Sequence, residues 1–196
     1  MSFFDDTKNT GWALTIVGLV MILGAIVSIV GGFTGDGNNT SKLGAVIIAI
    51  GGLLAALAYL KYGNSVRIGQ ISGKLDVLGN FVRIVGVTTV IVGLFAILGY
   101  AVQSNWGGVG SALVKTILGF VVIWVYKKMM DTKATTFDTI VWIILLVAFV
   151  VCFLVAFVSI FTADVFVIVT SLCNALIYLM MTIFLFDADV KKKMGM

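Results

Sequence analysis

Histidine, glutamate and proline are all absent from this chain of 196 residues. Without histidine and glutamate, the commonest metal sites and general acid–base pairs lose their usual members. The nine acidic residues are all aspartates, and most of them fall in loops or near predicted helix ends. No phosphate-binding loop or other nucleotide motif is recognisable. We therefore predict a non-enzymatic protein that uses no cofactor, metal ion or nucleic acid.

Charged residues are also scarce. They make up 11% of the chain, against 61% hydrophobic residues, and the mean hydropathy is +1.17. Soluble domains are about a quarter charged, and a chain of this length cannot bury so much apolar surface by folding in water. This composition predicts an all-α integral membrane protein.

Six apolar runs are long enough to cross a bilayer, which requires about 20 residues in a helix. The absence of proline removes one common way of breaking such helices. We predict that the whole chain, 1–196, is one membrane domain whose spans cover residues 12–33, 43–62, 81–102, 109–126, 137–161 and 165–186.

Lysine and arginine are distributed unevenly between the loops on the two sides of these spans. The first, third and fifth loops together contain only Lys42, although Lys115 lies inside the fourth span. Because cytoplasmic loops collect positive charge, we predict cytoplasmic termini and a location in the plasma (cytoplasmic) membrane. The eleven cations on the predicted cytoplasmic side are Lys8, Lys61, Arg67, Lys74, Arg83, Lys127, Lys128, Lys133, Lys191, Lys192 and Lys193.

The starts of the first, third and fifth spans resemble one another. Thr15–Gly18 and Arg83–Gly86 both contain Ile-Val-Gly, and Thr139–Trp142 contains Ile-Val. The pattern predicts three similar helical hairpins. Residues 63–80, between the second and third spans, carry apolar residues at helical spacing together with cations. We expect this segment to be amphipathic and to lie at the cytoplasmic face.

Small residues recur at spacings that bring membrane helices close together. Because lipid gives helices no hydrophobic reason to associate, such residues predict packing contacts in the first three spans. The candidates are Gly24, Ser28 and Gly32 in the first span, Gly52 and Ala56 in the second, and Gly86 and Gly93 in the third.

Polar groups inside the spans are the candidates for a functional site. Lys115 and Asn174 are the clearest candidates. Thr88 and Thr89 are further candidates, although their hydroxyl groups can bond within their own helix. Three alternatives remain for the partner of the Lys115 amine: the lipid headgroups of the outer leaflet, the nearby Asp164, or a polar interior of the protein. For Asn174, packing against another helix is favoured over contact with a substrate.

Two further features concern modification of the chain. Asn38 and Asn39 both lie in N-x-[ST] patterns in the predicted outer loop, so they are possible glycosylation sites. Cys152 and Cys173 lie in apolar runs, where a thiol is usually a small packing group.

The shortage of intramembrane chemistry favours a structural, accessory or assembly component of a membrane complex, in contact with lipids and with other membrane proteins or copies of itself. The alternative is a small transporter or channel built from repeated hairpins, since such proteins bind solutes near mid-membrane. Lys115, Asn174 and the hairpin pattern are the features that support this alternative.

Overall fold

The computed structural model describes residues 3–131, 136–161 and 165–196, with only the backbone described for residues 165–167. Six of its helices are long and apolar enough to cross a membrane, which confirms the prediction of a six-span, multi-pass α-helical protein. The long helices are α1 (Thr7–Thr34), α2 (Asn39–Arg67), α3 (Lys74–Val102), α4 (Trp106–Met129), α5 (Thr136–Ser159) and α6 (Val165–Leu185), and a short α7 (Ala188–Lys193) follows.

Asparagine side chains cap the N-termini of two of these helices. The carboxamide oxygen of Asn38 accepts a hydrogen bond from the Ser41 N–H at 2.8 Å, and that of Asn105 accepts one from the Gly108 N–H at 2.9 Å. Each bond satisfies a backbone donor that the first turn of a helix leaves without a partner. The helix starts are therefore set by local polar residues outside the apolar runs.

Residues 63–80 do not form a separate helix. Instead α2 continues to Arg67 and α3 already begins at Lys74, so that only residues 68–73 link the two. Gly69 supplies the positive φ, +80°, that ends α2 and that other residues adopt at a cost. The cations of this segment did not stop the helices, because long charged side chains are good helix formers. Its position at a membrane surface stays a prediction.

The contacts divide the chain into two compact units, so the single domain over residues 1–196 stays a prediction. The first unit contains Met1–Val17, Leu60–Val82 and Val125–Met196, and the second contains Gly18–Tyr59 and Arg83–Trp124.

Glycine contacts hold α2 against α3 in the second unit. A Cβ atom added to Gly44 would lie 2.5 Å from the carbonyl oxygen of Gly99, and one added to Gly99 would lie 2.6 Å from the carbonyl oxygen of Gly44. The backbones of the two helices are thus too close for any side chain at these positions. Beside them, Gln103 donates a hydrogen bond from Nε2 to the carbonyl oxygen of Ser41 at 3.1 Å.

The same kind of contact joins α3 to α4 in the second unit. A Cβ atom at Gly86 would lie 2.8 Å from Ile123 Cγ1, and one at Gly93 would lie 3.2 Å from the Cα of Thr116. Both glycines are therefore at close helix–helix approach, as small residues in membrane helices generally are.

Backbone contacts also join α1 to α2 in the first unit. A Cβ atom at Gly11 would lie 2.6 Å from Arg67 Cα and 2.8 Å from the carbonyl carbon of Val66. The guanidinium carbon of Arg67 lies 4.5 Å from the centroid of the Trp12 ring, a distance at which a cation is attracted to an aromatic face.

Aromatic side chains organise α5 and α6 in the first unit. Phe81 of α3 lies against Phe149 of α5 and Tyr178 of α6, with ring centroids 5.9 and 6.0 Å away. Trp142 of α5 donates a hydrogen bond from Nε1 to the carbonyl oxygen of Leu185 at 2.8 Å. These contacts fix α5 and α6 side by side and create the cleft that contains Asn174.

Candidate functional site

Lys115 lies on an exposed apolar face of α4. It is exposed itself, and so are its neighbours Val114 and Leu118, which retain 58% and 57% of their accessible surface. Its amine forms no hydrogen bond or ion pair with the residues that the structure describes, and Asp164 lies outside them. Lys115 is nine positions beyond the start of α4 at Trp106, which is about 14 Å along the helix axis. A lysine side chain that reaches back toward the interface covers part of this distance.

Thr88 and Thr89 direct their hydroxyl groups to their own helix. Thr88 Oγ1 donates to the carbonyl oxygen of Ile84 at 2.8 Å, and Thr89 Oγ1 donates to that of Val85 at 2.7 Å. Thr116 of α4 makes the same bond to Ala112, also at 2.8 Å. Each of these hydroxyl groups therefore already has a partner in its own helix, and none of them forms a hydrogen bond with Lys115.

The predicted packing residues of α1 and α2 behave differently from one another. A Cβ atom at Gly32 would lie 2.8 Å from Val46 Cγ2, and Ala56 is completely buried. Ser28 is exposed and donates its hydroxyl to the carbonyl oxygen of Gly24 at 2.9 Å.

Gly52 departs from the expectation, because a Cβ atom added there would meet no atom within 4 Å. It lies on a groove and makes no close helix contact at that position. Gly52 and Ala56 lie one turn apart on the same face of α2, so the neighbouring helices are close at the level of Ala56 and leave open space at the level of Gly52.

That groove lies in the second unit between α1, α2 and α3 and has a volume of about 510 Å³. Its walls are apolar, with small residues along one side. Tyr100 and Gln103 contribute polar groups where α3 ends. The lining residues that shape the groove are Met21, Ala25, Ala45, Ala49, Gly52 and Val92.

Asn174 lines a second cleft, which lies between α5 and α6 in the first unit and has a volume of about 310 Å³. Ser171 and Tyr178 line it as well, and so does Cys152. The carboxamide of Asn174 forms no hydrogen bond with any residue in the described part of the chain. Val155, on the α5 side of the cleft, remains 62% exposed, so the cleft opens on the outer surface of this helix pair.

A cluster of charges that the sequence did not predict lies at one end of the first unit. The amine of Lys74 forms ion pairs with Asp5 and with Asp187, the second at 2.8 Å. The hydrogen bond from Lys74 holds the pKa of Asp187 below its ordinary value, and the Asp189 N–H contributes in the same direction. Asp187 also caps α7, whose Val190 is completely buried.

Asn38 and Asn39 are both exposed, and the oxygen of Asn38 is engaged in starting α2. Their glycosylation stays a prediction. Among the described residues, no group of three or more cysteine and aspartate side chains lies close enough to hold a metal ion.

Within the described part of the chain, the groove and the Asn174 cleft are two places that offer polar groups to a molecule other than the protein itself. No protein-family model matches the chain, and no curated protein or solved structure shows significant similarity to it.

Proposed function

We propose that this protein is a non-enzymatic accessory component of a membrane complex, and that a transmembrane helix of its partner packs across the cleft between α5 and α6. The observation that carries the proposal is the carboxamide of Asn174, which has no hydrogen-bond partner in the described chain and faces an open cleft.

The depth of Asn174 makes this free amide energetically significant. It lies nine positions after the start of α6 and eleven before its end, so it is at least about 14 Å from either end of the helix. Water cannot supply the missing hydrogen bonds in the hydrocarbon region. A polar residue on a second helix is the usual remedy, and such a bond contributes roughly 0.6 to 2 kcal/mol to helix association.

The surroundings of the cleft suit a helical partner. Val155 and Val151 remain 62% and 51% exposed beside it, so a helix lying across α5 would bury apolar surface on both sides of the amide. The cleft volume of about 310 Å³ accommodates an inserted side chain, whereas a whole helix is about 10–12 Å across. The partner is either a different membrane protein or a second copy of this chain.

A small transporter or channel is the second candidate, since Ser171 and Tyr178 also line the Asn174 cleft. The positions of the other candidate polar groups favour the accessory role. Lys115 is exposed among apolar residues, and the hydroxyl groups of Thr88 and Thr89 are used within α3. A solute pathway needs polar groups that are free to bind.

We also propose that both termini are cytoplasmic and that the six spans form three hairpins in the cytoplasmic membrane, on the strength of the cation distribution. In a chain whose native cysteines are replaced by alanine, an impermeant maleimide added to intact cells should label Asn39→Cys and spare Gly195→Cys. The opposite labelling pattern would contradict this orientation.

The partner helix can be tested by photo-crosslinking in native membranes. A photoreactive amino acid in place of Val155, at the cleft, should give a defined crosslinked product, whereas one in place of Val114, equally exposed on α4, should not give that product. The added mass then distinguishes a second copy from another protein. Asn174→Leu should strongly reduce the product, while Asn174→Gln, which keeps the amide, should retain more of it.

Equal crosslinking from Val155 and Val114, or a product that persists unchanged in Asn174→Leu, would refute the proposed interface. Solute uptake by vesicles containing the purified protein alone, if Asn174→Leu abolished it, would favour the transporter.

A further inference from the structure

The groove between α1, α2 and α3 has the length of one bilayer leaflet. At its inner end Gly52 lies 13 positions beyond the start of α2, and Met21 lies 13 positions before the end of α1, which corresponds to about 20 Å of helix. At its outer end Tyr100 lies two positions before the end of α3, or about 3 Å. The groove is therefore about 17 Å long, and half of a hydrocarbon core is about 15 Å thick.

The groove is wide enough to hold an extended hydrocarbon chain. A volume of about 510 Å³ over about 17 Å gives a mean cross-section of about 30 Å², or a width of about 6 Å. Nonbonded carbon atoms approach to about 3.5–4.0 Å, so an extended alkyl chain fits this width. A helix with its side chains is about 10–12 Å across, so it does not enter the groove and would only lie across its mouth.

The polar groups of the groove lie at its outer end, where the oxygen atoms of a lipid would be. The hydroxyl group of Tyr100 forms no hydrogen bond with the described residues. Gln103 uses Nε2 to reach Ser41, which leaves its carboxamide oxygen as an acceptor. Gly108 fixes the Tyr100 ring, because a Cβ atom at that glycine would lie 2.6 Å from Tyr100 Cγ.

The inner end offers only apolar and small surfaces. Gly52 faces open space, and Ala49 and Val92 lie nearby in the same lining. About halfway along the groove, six positions before the end of α1, the hydroxyl group of Ser28 is already donated to its own helix. A polar solute would find no partners here, whereas an alkyl chain requires none.

From this geometry we infer that the groove is a binding site for one acyl chain of a membrane glycerolipid, with the chain end at Gly52 and the glycerol ester region at Tyr100 and Gln103. The site is separate from the α5–α6 cleft and does not depend on the proposed partner. The bilayer already solvates an acyl chain, so apolar contact alone gives the chain no reason to prefer the groove. Binding is favoured instead by the shape of the groove and by the hydrogen bond from Tyr100.

The inference can be tested with the full chain in phosphatidylcholine vesicles that contain a phosphatidylcholine analogue with a photoreactive group at the end of one acyl chain. Mass spectrometry should locate the adducts at the inner end of the groove, around Met21, Ala49 and Val92. Gly52→Leu should abolish these adducts without disturbing the fold, because a side chain there enters empty space. Gly110→Leu, at a glycine that also faces open space but outside the groove, should leave them intact.

Tyr100→Phe removes only the hydrogen bond. It should lower the yield of these adducts by about fivefold, which is the change produced by one net hydrogen bond, while adducts elsewhere on the spans stay constant. Adducts spread evenly over all lipid-exposed faces would overturn the inference. So would inner-groove adducts that are unchanged in Gly52→Leu, or a crosslink there from a protein helix in place of the lipid.

Discussion

The contact between α1 and α2 at Gly11 allows a quantitative test of how closely these helices are held together. Gly11→Ala adds one methyl group at a position where the nearest atoms are backbone atoms of Val66 and Arg67. Backbone atoms cannot rotate away as a flexible side chain does. The methyl group would start 2.6 Å from Arg67 Cα and closer still to the Arg67 backbone nitrogen, against 3.4 Å at the start of ordinary contact distances. The helices must therefore separate locally by at least about 0.8 Å.

Overpacking of this kind typically costs about 1–3 kcal/mol. Alanine also favours a helix over glycine by about 1 kcal/mol, which would partly hide the cost. Gly31→Ala is the matched control, because it makes the same change on the same helix at a glycine with no atom within 4 Å of the added Cβ. Both variants share the helix-propensity gain, and the difference between them isolates the contact.

The measurement is the free energy of unfolding of the two variants in mixed detergent micelles, with sodium dodecyl sulfate as the denaturant. We expect Gly11→Ala to be less stable than Gly31→Ala by about 1–3 kcal/mol. Equal stabilities would refute the close approach of α1 and α2 at Gly11.

Two further predictions concern polar contacts of the first unit. Tyr62 donates a buried hydrogen bond to the carbonyl oxygen of Val77 at 2.6 Å, so Tyr62→Phe should lower the free energy of unfolding by about 1 kcal/mol in the same assay, and an unchanged stability would contradict this role. The pKa of Asp187 is lowered in the folded chain by Lys74, so its stabilising contribution is complete above the ordinary value of 3.8 and is lost as the pH falls through the lowered pKa. Asp187→Asn, which can still cap α7, should flatten the acid loss of stability below about pH 4, and an unaltered pH profile would argue against the ion pair.

The six spans could be predicted because the thickness of the bilayer sets the length of an apolar run. The ends of α2 and α3 were harder to predict. Residues 63–80 carry charges that exclude them from the hydrocarbon region, yet Lys61 and Lys74 are good helix formers and continue the two helices. Hydropathy reports where a span ends, and that is a different question from where its helix ends.

The candidate sites show a second limit of prediction from the sequence. The spacing of Gly52 and Ala56 predicted one packing face, but only Ala56 is completely buried. Spacing identifies a shared face, but how close a neighbouring helix lies at each turn along that face is decided by the whole set of contacts. The ion pairs of Lys74 join residues 69 and 113 positions away along the chain, so no local pattern could indicate them.

The hydroxyl groups inside the spans have a consequence for the way this protein is assembled. Thr88, Thr116 and Thr182 each donate to a carbonyl oxygen one turn earlier in their own helix, so these groups are satisfied before any neighbouring helix arrives. Such spans can enter the bilayer one at a time as independently stable helices and associate afterwards. Asn174 makes no such bond within the described chain, so in the proposed complex the partner helix is what satisfies the one free amide of α6.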